Sequence, residues 1–123
     1  RSRVPRLFDD LLPHLNIGTN SGTSCAPELR AAVEAVAQAS TWTHVTDGRF
    51  RGGWTTRHYG RPADGVHAIQ MELAMRTYLD EPQTLGEADW PVPFDPGRAA
   101  AITETLKDVL QAALSFALEG QNQ

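Results

Sequence analysis

A glutamate near the end of an apolar stretch is a candidate base, and Glu72 holds that place in Val66-His67-Ala68-Ile69-Gln70-Met71-Glu72-Leu73. Side chains along a strand alternate between its two faces. Residues 66–73 read as a strand, so His67, Ile69, Met71 and Leu73 share one face, and Val66, Ala68, Gln70 and Glu72 share the other. The second face begins apolar and turns polar toward the carboxyl end of the strand, the end at which open α/β sheets bind ligands. Met71 and Leu73 on either side should reduce the hydration of Glu72, a setting in which a carboxylate serves as general base. An ion pair with an arginine, or a solvated start to the next helix, would account for the same residue without chemistry.

A second stretch, Trp54-Thr55-Thr56-Arg57-His58-Tyr59, is rich in aromatic and β-branched residues and also reads as a strand. Alternation then sets Arg57 and Tyr59 on one face, about 7 Å apart. A guanidinium fork beside a phenol suits a substrate carboxylate; a surface arginine beside a core tyrosine is the plainer reading. Asn20 opens the loop Asn20-Ser21-Gly22-Thr23, whose small polar residues make a turn with backbone N–H groups available to a ligand, or a simple connection. The histidines His14, His44, His58 and His67 lack helical HxxxH or HExxH spacing, so no metal site is expected inside this chain. Cys25, the single cysteine, excludes an intrachain disulfide, reads as a structural thiol and fits a reducing, cytoplasmic setting.

The elements that must position these groups follow from periodicity and caps. Residues 16–19 suit a short strand, and residues 25–39 a helix with Ser24 as N-cap and Leu29, Ala32, Val33, Val36 and Ala37 on its buried face. Residues 43–45 suit a second short strand before a turn at Asp47-Gly48, and residues 80–94 a surface loop. Asp95 and Pro96 open a final helix with an apolar stripe of Ile102, Leu106, Val109, Leu110, Ala113 and Ala117. Strands interleaved with helices indicate the α/β class, a partial mixed sheet flanked by helices. A chain of 123 residues with net charge −4 has no electrostatic footprint for nucleic acid or an anionic membrane. An incomplete sheet should expose a strand edge, which favours self-association or pairing with a further segment of the same protein.

The run from Asp47 to Pro62, continued by Gly65-Val66-His67-Ala68-Ile69-Gln70-Met71-Glu72, resembles the C-terminal signature of N-formylglutamate amidohydrolases. Pro5-Arg6-Leu7-Phe8-Asp9 and Asn16-Ile17-Gly18-Thr19-Asn20, followed by Ser24-Cys25, are similar to an earlier block of that family. The resemblance implies that residues 1–123 are the C-terminal part of a single amidohydrolase domain with a three-layer, zinc-carboxypeptidase-like (phosphorylase/hydrolase-like) fold. It implies hydrolysis of N-formyl-L-glutamate to formate and L-glutamate in histidine degradation, with Glu72 as general base and Arg57, Tyr59 and Asn20 at the substrate. Zinc is expected in the full-length protein. Its Pro-His-Ser-Gly and Asp-x-His-Ser ligand blocks belong upstream and do not occur in this chain, which should be inactive alone. Two other readings stay open: a degenerate domain binding an acidic metabolite or a partner protein, and an amidohydrolase of another N-acyl amino acid.

Overall fold

The computed structural model describes residues 2–84 and 86–120. Its centre is a three-stranded sheet whose middle strand, β3 (Leu15–Gly18), is wholly buried. From β3 the chain crosses through a helix, Pro27–Ala39, and returns as a short strand, His44–Thr46, parallel to β3. This is a βαβ unit, the connection that parallel strands require. A last strand, Gln70–Leu73, lies on the other side of β3 and runs antiparallel to it. An N-terminal two-stranded ribbon pairs Arg3–Val4 with Phe8–Leu11. In chain order the strands are β1 (3–4), β2 (8–11), β3, β4 (44–46) and β5 (70–73), and the helices are α1 (27–39), α2 (54–59) and α3 (96–119).

The amphipathic patterns explain the core. Leu29, Val33 and Ala37 come from one face of α1 and meet Leu15 and Ile17 of β3. Ile102, Leu106, Val109 and Ala113 of α3 close over the same cluster, with Ile69, Met71 and Leu73 at its edge. Asp95 caps α3, accepting from the amides of Gly97 and Arg98, and Pro96 takes the first helical position. Leu110 departs from the expected stripe: it is 70% exposed and turned away from the core. No helix among the described residues is long and apolar enough to cross a membrane.

Several expectations are corrected. Ser24 does not cap α1. The N-cap is Ala26, which has no side-chain bond of its own, and Ser24 Oγ instead donates to the carbonyl of Ala68 at 2.6 Å. The amide of Ala26 donates to His67 Nδ1 at 3.1 Å, so His67 is an acceptor at the entrance to α1, its ring edge-on to Phe116. Residues 54–59 form a helix, not a strand, and the second predicted strand is regular only from Gln70. Before it, Val66 pairs back with Arg61 and closes a small loop, and Ala68 is tied to Ser24.

Candidate active site

The loops that leave β3 and β4 meet at the carboxyl ends of these parallel strands, and Asp47 joins them. Its backbone is left-handed, φ 51°, which aims its carboxylate back at β3. It accepts from the Thr19 amide at 2.8 Å, from the Thr19 hydroxyl and from the Ser21 amide at 3.3 Å, with Arg30 Nη1 at 3.5 Å. Burial alone would raise the Asp47 carboxyl; these hydrogen bonds and the Arg30 charge outweigh it and hold it below its ordinary value. Asp47 is a structural residue that its place in a turn did not reveal.

This stapling overturns one expectation. The amides of the Asn20-Thr23 loop are spent: Asn20 donates to the Arg51 carbonyl, Ser21 to Asp47, Gly22 to Thr19 and Thr23 to the Asn20 carbonyl. The Asn20 side chain donates to Thr23 Oγ1 at 2.7 Å. Asn20 therefore sits at the correct end of the sheet, but its loop presents no row of vacant donors.

The segment after Asp47 turns on two glycines. Gly52 has φ 114°, a conformation that side-chain-bearing residues rarely adopt. A Cβ on Gly18 would lie 2.6 Å from Gly52 N, so the bare Gly18 at the end of β3 lets this turn seat directly on the sheet. Gly53 then starts α2, with the buried Thr56 hydroxyl donating to its carbonyl at 2.9 Å. Gly60 stops the helix against Ser24, where a Cβ would come within 2.5 Å of the serine Cβ.

Because α2 is helical, the expected clamp does not form as a strand pair. Residues two apart on a helix do not face each other. Arg57 reaches back to the Gly52 carbonyl at 3.4 Å, whereas the Tyr59 ring lies edge-on to Trp54 and His58. Trp54 and His58, four apart, stack with centroids 4.2 Å apart. Arg57, His58 and Tyr59 are all exposed, so they remain accessible, but Arg57 and Tyr59 are not one fork.

Glu72 lies on β5 opposite Asn16, with Gln70 opposite Gly18. The predicted alternation holds in β5: Met71 and Leu73 pack on the core and Glu72 lies on the other face. Two parts of the reading are corrected. Met71 and Leu73 turn away from the carboxylate and do not dry it, and Glu72 is exposed. Because β5 is antiparallel, its carboxyl end lies beside the amino end of β3, so Gln70 rather than Glu72 is nearest the loop-bearing edge. The two are linked: Gly53 N donates to Gln70 Oε1 at 2.7 Å, and Gln70 Nε2 donates to Glu72 Oε1 at 2.7 Å. Arg57 and Glu72 thus attach to opposite sides of one glycine turn. Across the ladder, the buried Asn16 donates to the Pro13 carbonyl at 2.8 Å, and its Oδ1 has no partner among the described residues.

No three His, Cys, Asp or Glu side chains converge as a metal-binding group among the described residues. His67 Nδ1 is occupied by the Ala26 amide, His14 Nδ1 contacts Thr43 Oγ1 at 2.8 Å, and His44 Nδ1 lies 3.3 Å from the Trp42 carbonyl. The described residues do not make a zinc site by themselves. What they do offer is an exposed carboxylate oriented by an amide, on a glycine turn that also accepts from a guanidinium, an arrangement that suits proton transfer.

Comparison with known proteins supplies the family and the fold. A structure of N-formylglutamate amidohydrolase from Ralstonia eutropha JMP134 superposes with a TM-score of 0.66 at 20% identity, over 94% of this chain and 37% of that one, which shows a shared fold. The N-formylglutamate deformylase of Pseudomonas aeruginosa is 45% identical over 120 residues, and that of Pseudomonas putida 42%. The alignments take in 97% of this chain but only 42% of the length of either relative. The family model described as N-formylglutamate amidohydrolase matches residues 1–79, the stretch that holds the Asp47 staple, the glycine turn and Glu72, and the chain belongs to that family.

Proposed function

We propose that this chain supplies the general base and part of the substrate cradle of an amidohydrolase that cleaves N-formyl-L-glutamate to formate and L-glutamate in the cytoplasm, as a step of histidine degradation. It would act as the C-terminal part of a single carboxypeptidase-like domain. The observation that carries this reading is the Gly53–Gln70–Glu72 hydrogen-bonded array, which holds an accessible carboxylate on the glycine turn whose other side Arg57 engages. The names of the two Pseudomonas relatives support the substrate.

In this reading Glu72 takes a proton from water as the water oxygen bonds to the formyl carbon. The C–N bond then breaks, the proton passes to the departing nitrogen, and formate and glutamate leave. Arg57, exposed and with one donor given to Gly52, would meet a carboxylate of the glutamyl moiety, and Tyr59 and Asn20 would make further substrate contacts. A zinc ion, expected for the complete protein, would take its ligands from outside the described residues, and none of these steps is assigned to it.

The full-length protein tests the proposal. Glu72→Gln should lower kcat on N-formyl-L-glutamate about 10²-fold or more, the size of a general-base contribution. Near-normal turnover would remove Glu72 from the chemistry. Arg57→Ala should raise KM about 10-fold with a smaller change in kcat, as expected when a binding contact is lost. An unchanged KM would place the substrate elsewhere.

A further inference from the structure

Gln70 is the first residue of β5 and is half-buried, whereas Glu72, two residues on, is exposed. The amide of Gln70 has one end that accepts and one that donates, and its neighbours decide which end goes where. A backbone N–H only donates, so the atom 2.7 Å from Gly53 N is the oxygen. The nitrogen must then face Glu72, where it donates to Oε1 at 2.7 Å. An ionised carboxylate only accepts, so both ends agree. Turning the amide over would set N–H against N–H and oxygen against oxygen.

The Gly53 end of this relay is firmly held. Gly53 accepts the buried Thr56 hydroxyl at 2.9 Å and the Arg57 amide at 3.3 Å. The adjoining Gly52 rests on Gly18 with no room for a Cβ between them. An exposed glutamate would otherwise sample several rotamers. Here it is tied through one amide to a backbone turn that is hydrogen-bonded into α2 and packed on β3.

We propose that Gln70 is a positioning residue: it holds Glu72 Oε1 and so presents Oε2 as the atom that takes the proton from water. This rests on Glu72 being the base, and it adds how that base is aimed. Gln70 would have a merely structural role if it only pinned the glycine turn, and one substitution separates the two. Gln70→Glu keeps an oxygen for Gly53 N–H, so the turn stays seated. It removes the donor to Glu72 and sets a second carboxylate against it.

The experiment is steady-state kinetics of the full-length protein on N-formyl-L-glutamate across pH, for Gln70→Glu and the similarly sized Gln70→Met. The positioning role requires Gln70→Glu to lose about 10- to 100-fold in kcat, the scale of a misplaced catalytic group. KM should change by less than a factor of about 3, since no binding contact is removed. The acid limb of its pH–rate profile should move to higher pH, because neighbouring carboxylates resist ionising together. Gln70→Met should lose a similar factor in kcat. Wild-type kcat and pH profile in a folded Gln70→Glu, or wild-type kcat in Gln70→Met, would overturn the proposal. Full turnover in Glu72→Gln would instead remove the base assignment on which it stands.

Discussion

The two faces of the central sheet are built on different principles. One receives Leu15, Ile17, Met71 and Leu73 and is sealed by α1 and α3. The other carries Asn16, Gly18, Gln70 and Glu72 and is organised by the glycine turn and the start of α2. On the first face stability comes from apolar burial, which has no directional requirement. On the second it comes from hydrogen bonds and close backbone contacts, which fix directions. Directional contacts suit catalysis because they hold an atom in place, and the polar face is where they lie.

Substitutions on the two faces should therefore fail in different ways. Ile17 is completely buried, so Ile17→Ala should cost about 2–5 kcal/mol in denaturant unfolding. With enough ligand to keep the protein folded, its KM and kcat should stay close to wild type. A large kcat loss in the folded variant would mean that the faces are not separable. Gly18→Ala tests the polar face. Its Cβ would press on Gly52 N from 2.6 Å, an overpacking worth about 1–3 kcal/mol. Lifting the turn also carries Gly53 away from Gln70, so kcat should fall along with stability. Normal activity would show that the turn need not sit on β3.

The same division marks what was legible in the sequence. The apolar face was readable, because Leu29, Val33, Ala37 and Ile102 recur at helical spacing and alternation places Met71 and Leu73 together. Asp95 and Pro96 announced α3 through local chemistry. The polar face was less so. Trp54-Thr55-Thr56 has strand composition, and the helix there is decided by Gly53 and Gly60 at its ends, the Thr56 hydroxyl and the Trp54–His58 stack. Ser24 resembles a cap, but its hydroxyl is drawn to Ala68 by a contact 44 residues away. The direction of β5 depends on the path of residues 60–69, which no spacing encodes. Glu72 was singled out by its place in the 66–73 pattern and by the family resemblance, whereas Gln70, two residues earlier, becomes conspicuous only when its partners are in place.

Acid should distinguish the polar assembly from the core. The Asp47 carboxylate is only 12% exposed and is held below its ordinary value despite its burial. A carboxyl with a lowered folded pKa stabilises the protein fully above its unfolded pKa, about 3.9, and loses that contribution as pH falls through the folded value. Asp47→Asn keeps the shape and removes the charge, so at pH 7 it should be less stable by about 1.5–3 kcal/mol, the scale of hydrogen bonds to a charged group. That gap should narrow once the pH drops below about 4. Glu34 shares Arg30 and is also lowered, first by the Thr46 hydroxyl, but it is present in both proteins and largely cancels in the difference. The Ile17→Ala deficit should be nearly the same at both pH values, since no charge is involved. If the Asp47→Asn gap stays constant down to pH 3, the loops after β3 and β4 are held by shape rather than by the carboxylate, and the contrast between the two faces loses its electrostatic half.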